Sequence, residues 1–336
     1  MLVEVNGMDK KWVSGVGVIV LFILLSYLFI GFAHHSARMG NIVKELSGQP
    51  SQDKPGYHIV LIEQERYHPY WEMVEKGAAE AAAKYGIEIE FTGPVRNNME
   101  EQISLLEKAI AAKADAIIVQ GLNDEKFTPV IDKAVNRGIP VITIDTDAPA
   151  SRRLAYVGTD NVAAGEALGR MVVKTTGGKG KIGVIIGSEL AKNQLQRLDG
   201  LKNIVKDYGG MEIVDVRSSN ISHMEAIQQA ADMLRYHPEI DVMVGTSSTD
   251  ALGVLQASRS LKRGPLTIIG FDNQAETLDA ISRGAITATV AQQPYLMGNM
   301  AVRLLHEYFN GAELQPRYYT GVKVLDKTNV QEGESL

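Results

Sequence analysis

The sequence predicts an α/β fold of two similar lobes, each a parallel sheet covered on both faces by helices, behind an N-terminal membrane-spanning helix. Three observations predict it. From Tyr57 onward, short β-branched runs alternate with helical segments in a regular beat. A helix-poor segment, Ala148–Gly158, and a Gly-rich turn at Thr175–Gly180 interrupt that beat, and there are too many units for one simple sheet. Ahead of all this, Trp12–Ala33 runs for 22 residues without a charge. An eight-fold barrel is the competing architecture; the break and the helix-poor segment count against it.

The N-terminal run is the first element. A membrane span needs about 20 apolar residues, whereas the core of a signal peptide runs about 7–15. Lys10 and Lys11 precede the run, which puts residues 1–11 in the cytoplasm and everything after Ala33 outside. Gly31-Phe32-Ala33 keeps a cleaved signal open as the alternative. Residues 34–55 are polar and without apolar periodicity, and Gly48, Pro50, Ser51 and Pro55 mark them as a linker.

The alternation then begins. His58–Glu63 reads as a strand and Pro69–Tyr85 as a helix stopped by Gly86. Strand Ile87–Thr92, helix Met99–Lys113, strand Ala114–Gln120 and helix Lys126–Arg137 follow. Gly138 and Pro140 then open Val141–Ile144, a β-branched run of the kind buried on both faces, and Asp145 and Asp147 appear as it ends. In open α/β sheets, ligands sit beyond the carboxyl ends of the strands, so an acid there faces a ligand or a helix N-terminus. After the break, strand Leu154–Gly158 leads to a helix capped by Thr159-Asp160-Asn161 and running through Lys174. Strand Lys181–Ile186, helix Asn193–Tyr208 and strand Met211–Arg217 come next, then helix Ser222–Tyr236, strand Ile240–Thr246 and helix Thr249–Leu261. Strand Leu266–Gly270, the short helix Ala275–Ser282, strand Ile286–Ala291, helix Tyr295–Phe309 and one final strand near Tyr319–Leu325 close the chain.

Composition removes several function classes. Net charge is −6 with no long basic run, which argues against nucleic acid as a partner. The absence of cysteine excludes disulfides, thiolate zinc sites, thiol catalysis and lipid attachment through a thiol. The seven histidines show no metal-ligand spacing, and His34-His35 stands beside the predicted span. Gly177-Gly178-Lys179-Gly180-Lys181 precedes a strand instead of following one, so it reads as a turn and not as a phosphate loop. No nucleophile, base and orienting group assemble, so the chain reads as a non-enzyme, with no cofactor motif.

Seven short strings stand in a known order: Ile59–Trp71 (IVLIEQERYHPYW), Asp115–Gln120 (DAIIVQ), Ile139–Asp145 (IPVITID), Gly158–Gly165 (GTDNVAAG), Arg197–Gly200 (RLDG), Ile269–Asp272 (IGFD) and Ala288–Pro294 (ATVAQQP). In that order, from about residue 57 to 326, the chain resembles the sugar-binding type I periplasmic binding proteins, in their ribose-binding branch. The resemblance implies two Rossmann-like lobes joined by a three-strand hinge and closing on a sugar. It implies crossings near Thr159–Asp160, Gln292–Gln293 and Gly321–Val322. One lobe is then 57–159 plus 293–321, the other 160–292 plus 322–330.

Residue by residue, the resemblance implies a ligand site. Asp145 and Asp272 match carboxylates that accept sugar hydroxyls, Arg197 a guanidinium from the second lobe, and Gln292 an amide at a crossing. Tyr70 and Trp71 match two aromatics that sandwich the sugar ring. Gln64 and His68 stand where the family uses small polar side chains. Gln120 stands where the family has Asn, and Ser247-Ser248 where it has Asn-Asp. Thr146 replaces an Arg and Ile221 an aromatic, departures that put ribose itself in doubt. These residue types suit a pyranose, whose rim needs charged or amide groups and whose faces need aromatic rings. Each residue also has a plain structural role open to it: Asp145 as a cap, Tyr70 and Trp71 as core, His68 as a loop histidine, Arg197 as a surface helix residue.

The expected function is a membrane-tethered monosaccharide receptor outside the cytoplasm, presenting its sugar to an ABC-transporter permease. The alternative is a sensing subunit that signals to a membrane sensor histidine kinase; a retained anchor without a lipid-bearing cysteine makes sensing a contender. A lac-repressor-type regulator shares the core, but an apolar span stands where its DNA-binding domain belongs. An enzyme on the same scaffold is the remaining class.

Overall fold

The computed structural model describes residues 56–335. The predicted cytoplasmic segment 1–11, span 12–33 and linker 34–55 lie outside the described residues. Among the described residues, no helix is long and apolar enough to cross a membrane.

Two six-stranded sheets make two α/β lobes. The first sheet collects β1 (His58–Ile62), β2 (Glu88–Thr92), β3 (Ala116–Val119), β4 (Val141–Ile144), β5 (Ala155–Thr159) and β11 (Arg317–Thr320), in the order β11-β5-β4-β3-β1-β2. The second collects β6 (Lys179–Ile186), β7 (Gly210–Ser218), β8 (Val242–Gly245), β9 (Thr267–Phe271), β10 (Ala288–Ala291) and β12 (Lys323–Asp326), in the order β12-β10-β9-β8-β6-β7. The two orders are the same pattern written twice, so each strand of one lobe has a counterpart in the other: β4 with β9, β5 with β10. All pairings are parallel except β10 with β12, which is antiparallel.

The helices α1 (Pro69–Tyr85), α2 (Met99–Ala111) and α3 (Asp124–Asn136) follow β1, β2 and β3. Helix α4 (Asn161–Thr176) leaves β5 of the first sheet and packs on α5 (Lys192–Val205) beside the second. In the second lobe, α5, α6 (His223–Tyr236), α7 (Asp250–Ser260) and α8 (Ala275–Ser282) play the same part. Helix α9 (Pro294–Phe309) leaves β10 of the second sheet but packs on α1 beside the first. The central strands are buried along their whole length, β3 and β4 as AIIV and VITI, which is why they carry β-branched residues without polar alternation. Strand β2 sits at an edge and alternates, with Glu88 and Glu90 turned outward.

The chain passes between the sheets three times: after β5, after β10, and between β11 and β12. The last passage corrects one expectation. The single final strand near Tyr319–Leu325 is two strands, Arg317–Thr320 in the first sheet and Lys323–Asp326 in the second, with Gly321-Val322 between them. Four-residue strands separated by two residues leave no periodicity by which to divide them. The strand after the Gly-rich turn also begins earlier than its apolar run, because Lys179-Gly180-Lys181 pair with Gly210-Met211-Glu212 of β7.

Candidate functional site

Strand ends and helix starts of both lobes converge on one cavity of about 70 Å³. Its wall includes all ten residues singled out from the sequence: Gln64, His68, Tyr70, Trp71, Gln120, Asp145, Arg197, Ser247, Asp272 and Gln292.

Asp145 and Asp272 are its framework. Each follows a buried strand, β4 or β9, and each takes a left-handed backbone conformation, φ 62° and 66°, that is uncommon for a residue with a side chain. The surroundings hold both in the same way. Asp145 N–H donates to Val157 O at 3.0 Å on β5, and Asp272 N–H donates to Val290 O at 2.8 Å on β10. Their carbonyls accept hydroxyls from those same strands, Tyr156 Oη and Thr289 Oγ1, each at 2.7 Å. The turn swings each carboxylate off its strand toward the cavity.

In the first lobe, the Asp145 carboxylate accepts Tyr70 Oη at 2.8 Å, Gln120 Nε2 at 2.5 Å and Thr146 Oγ1 at 3.0 Å. Gln120 Nε2 also reaches Gln64 Oε1 at 3.3 Å, while its own Oε1 is buried without a partner. Burial first, and Asp145 second, push the Tyr70 phenol well above its ordinary pKa, so it stays a donor. His68 caps α1, accepting Tyr70 N–H on Nδ1 at 3.2 Å; burial lowers its pKa, which keeps the ring neutral at pH 7.

The two aromatics are nearly perpendicular to each other in this structure. Tyr70 and Trp71 meet edge to face, with centroids 5.5 Å apart and planes at 81°, so they do not form two plates with a ring between them. Consecutive helix residues point about 100° apart, which sets the two rings on different sides of the start of α1. The indole is 3% exposed, lying in the apolar core of the first lobe and on the cavity wall at once.

In the second lobe, Arg197 is 2% exposed and donates from each of its three side-chain nitrogens. Nε donates to Asn161 Oδ1 at 2.9 Å, one terminal nitrogen to Thr246 O at 2.9 Å and the other to Gln292 Oε1 at 3.1 Å. Its plane lies 3.8 Å from the Phe271 ring centroid. Gln292 passes the chain on, donating to Asp272 Oδ1 at 2.9 Å and accepting Thr159 Oγ1 at 2.8 Å across two of the inter-sheet passages. Burial raises the Asp272 pKa to about 6, against the lowering influence of Arg197 and Gln292. Ser247 Oγ is buried in the cavity wall with no partner.

Arg197 depends on two glycines. A Cβ on Gly165 would stand 2.0 Å from Arg197 O, and one on Gly200 would stand 2.1 Å from Val162 O. Helices α4 and α5 touch backbone to backbone there, and no side chain fits between them. These are the glycines that end the GTDNVAAG and RLDG strings.

Sequence reasoning did not single out Asn193 and Gln194, which also line the cavity, or Asn161, which holds Arg197. The signal was present: residues 193, 194 and 197 share one helix face. The remaining acid of the opening strand, Asp147, faces away from this cavity, ion-paired with Arg153 and accepting Thr143 Oγ1 at 2.8 Å.

Two carboxylates, a guanidinium and several amides around one small void are acceptors and donors for a neutral molecule rich in hydroxyls. Comparison with known proteins agrees in kind. Residues 59–313 match a family described as periplasmic binding protein domain. A crystal structure of GanP, a glucose-galactose binding protein from Geobacillus stearothermophilus, is 42% identical, with TM-score 0.81 over 82% of this chain and 99% of that one. A structure described as the XylFII-LytSN complex is 33% identical, with TM-score 0.76 over 82% and 99%. The ribose import binding protein of Bacillus subtilis (strain 168) is 26% identical across 79% of this chain and 86% of its own length.

Proposed function

From the premise that this chain belongs to the periplasmic binding protein family, we propose that it is a membrane-tethered receptor for a monosaccharide, outside the cytoplasm, delivering its ligand to an ABC-transporter permease. The observation that carries the ligand class is the pair of strained carboxylates, Asp145 and Asp272, facing one cavity from mirrored strand ends with buried Arg197 between the amides. Carboxylates accept two hydroxyls each, and the unpartnered Gln120 Oε1 and Ser247 Oγ supply further sites. A void of about 70 Å³ is below the roughly 300 Å³ at which ligand pockets begin, so entry requires the lobes to part about the three passages. The tether is residues 12–33, which raise the effective concentration of the receptor near one membrane partner.

The second reading, a sensing subunit for a membrane histidine kinase, is favoured by the likeness to the XylFII-LytSN structure. It uses the same site and the same closure; only the partner differs. The receptor reading needs no turnover.

The test uses fluorescence. The chain has two tryptophans, so Trp12→Phe leaves Trp71 as its only reporter. Titration with D-glucose, D-galactose, D-ribose, D-xylose and L-arabinose is expected to change the Trp71 emission saturably for at least one. A folded protein that responds to none of them, by fluorescence or calorimetry, sinks the reading.

A further inference from the structure

We propose that Asp250 is a positioning residue of the cavity, holding the turn between β8 and α7 so that Ser247 faces the ligand and the Thr246 carbonyl faces Arg197. The proposal rests on the sugar-binding reading above. Asp250 does not line the cavity, yet it is completely buried at the first position of α7.

Its two oxygens are spent on the turn and not on its own helix. Oδ2 accepts the backbone N–H of Thr246 at 3.1 Å and of Ser247 at 2.7 Å, both ahead of the helix. Oδ1 accepts Ser219 Oγ at 2.7 Å from the end of β7, two strands away in the sheet. Thr249, at the N-cap of α7, makes no side-chain cap bond. Burial pushes the Asp250 pKa up to about 6, against the lowering influence of these donors, so at pH 7 the carboxylate is ionised and accepts all three.

The turn thus held carries three polar groups of the site. Thr246 O is the acceptor for Arg197. Thr246 Oγ1 donates to Gln194 Oε1 at 2.7 Å, fixing an amide of the cavity wall. Ser247, 4% exposed, forms part of the cavity wall. A Cβ on Gly245 would come within 2.6 Å of Asp250 Cβ, so the carboxylate packs where only glycine leaves room. A neutral amide has one acceptor oxygen, so Asp250→Asn reverses the bond to Ser219 Oγ and removes the charge that strengthens the two backbone bonds.

The test is a set of double-mutant cycles on the full chain, with affinity measured by calorimetry for the tightest-binding sugar of the panel above. Asp250→Asn is expected to weaken binding at least five-fold. Ser247→Ala is expected to cost less in the Asp250→Asn background than in the wild type, because Ser247 is no longer aimed. Tyr70→Phe, in the other lobe, is expected to cost the same in both backgrounds. Wild-type affinity in Asp250→Asn, additivity with Ser247→Ala, or equal coupling to Tyr70→Phe overturns the assignment, the last by showing general collapse. If Asp250→Asn does not fold, Ser219→Ala removes one partner of the carboxylate and runs through the same cycles with the same outcomes. A wild type that binds no sugar of the panel removes the functional reading and this one with it; a wild type that binds while the variant is unchanged removes only this one.

Discussion

Asp145 in the first lobe and Asp272 in the second occupy matching places, yet different chemistry completes them. Asp272 belongs to a continuous chain, Asn161 to Arg197 to Gln292 to Asp272, that includes a formal positive charge. Asp145 has no cation among its hydrogen-bond partners; a phenol, an amide and a hydroxyl stabilise it. The difference teaches what each half contributes. The second lobe offers a wall built around one buried, hydrogen-bonded cation. The first lobe keeps slack, with Gln120 shared among three acceptors and its own oxygen free.

The sharpest way to break this comparison is to remove the cation. Arg197→Met is expected to cost about 3–5 kcal/mol of stability, because Asn161 Oδ1 and the Thr246 carbonyl lose a buried donor and the Asp272 carboxylate loses its charge partner. Chemical denaturation measures it, and a loss below 1 kcal/mol would show that the wall does not depend on the guanidinium. The carboxylates come next. Asp145→Ala and Asp272→Ala are each expected to weaken sugar binding by about 1–3 kcal/mol, and calorimetry on folded variants decides each separately. An unchanged affinity takes that residue out of the site.

The smallest effect is set by pH and separates the two acids. Asp272 has a pKa of about 6 in the free protein, above its ordinary 3.8. Sugar hydroxyls donate to the ionised form, so affinity is expected to be flat above pH 6 and to fall below it, and Asp272→Asn should reduce the fall to the part contributed by Asp250. Stability moves the other way. The folded state takes up this proton more readily than the unfolded chain, so the Asp272 contribution to stability is full below pH 3.8 and lost as pH rises through 6. Affinity and stability changing in parallel over that range would contradict the assignment.

Much of this arrangement was legible as pattern. The runs AIIV and VITI announce strands buried on both faces, and the acids at their ends announce a place beyond the sheet. What pattern could not convey is orientation. Tyr70 and Trp71 were visible as neighbouring aromatics, but the angle between them comes from the helix they start. Gln194 and Asn193 were overlooked because amides on a helix look like an exposed face until the helix is seen to point at a cavity. Asp250 reads as an ordinary first-turn acid, and only the turn folded back over it shows which groups it serves.

By itself, the sequence determined the α/β alternation and the two-lobed division, because burial and helix or strand periodicity are local and repeat along the chain; the candidate residues came from its resemblance to a known family. It also determined the glycines Gly165 and Gly200, though not their reason. Only the tertiary structure decided that those glycines let α4 and α5 meet backbone to backbone, that the last strand is shared between two sheets, and that two acids 127 positions apart become equivalent. These are contacts between segments remote in sequence. Their geometry is fixed by strand order and helix packing, which no short stretch of residues encodes.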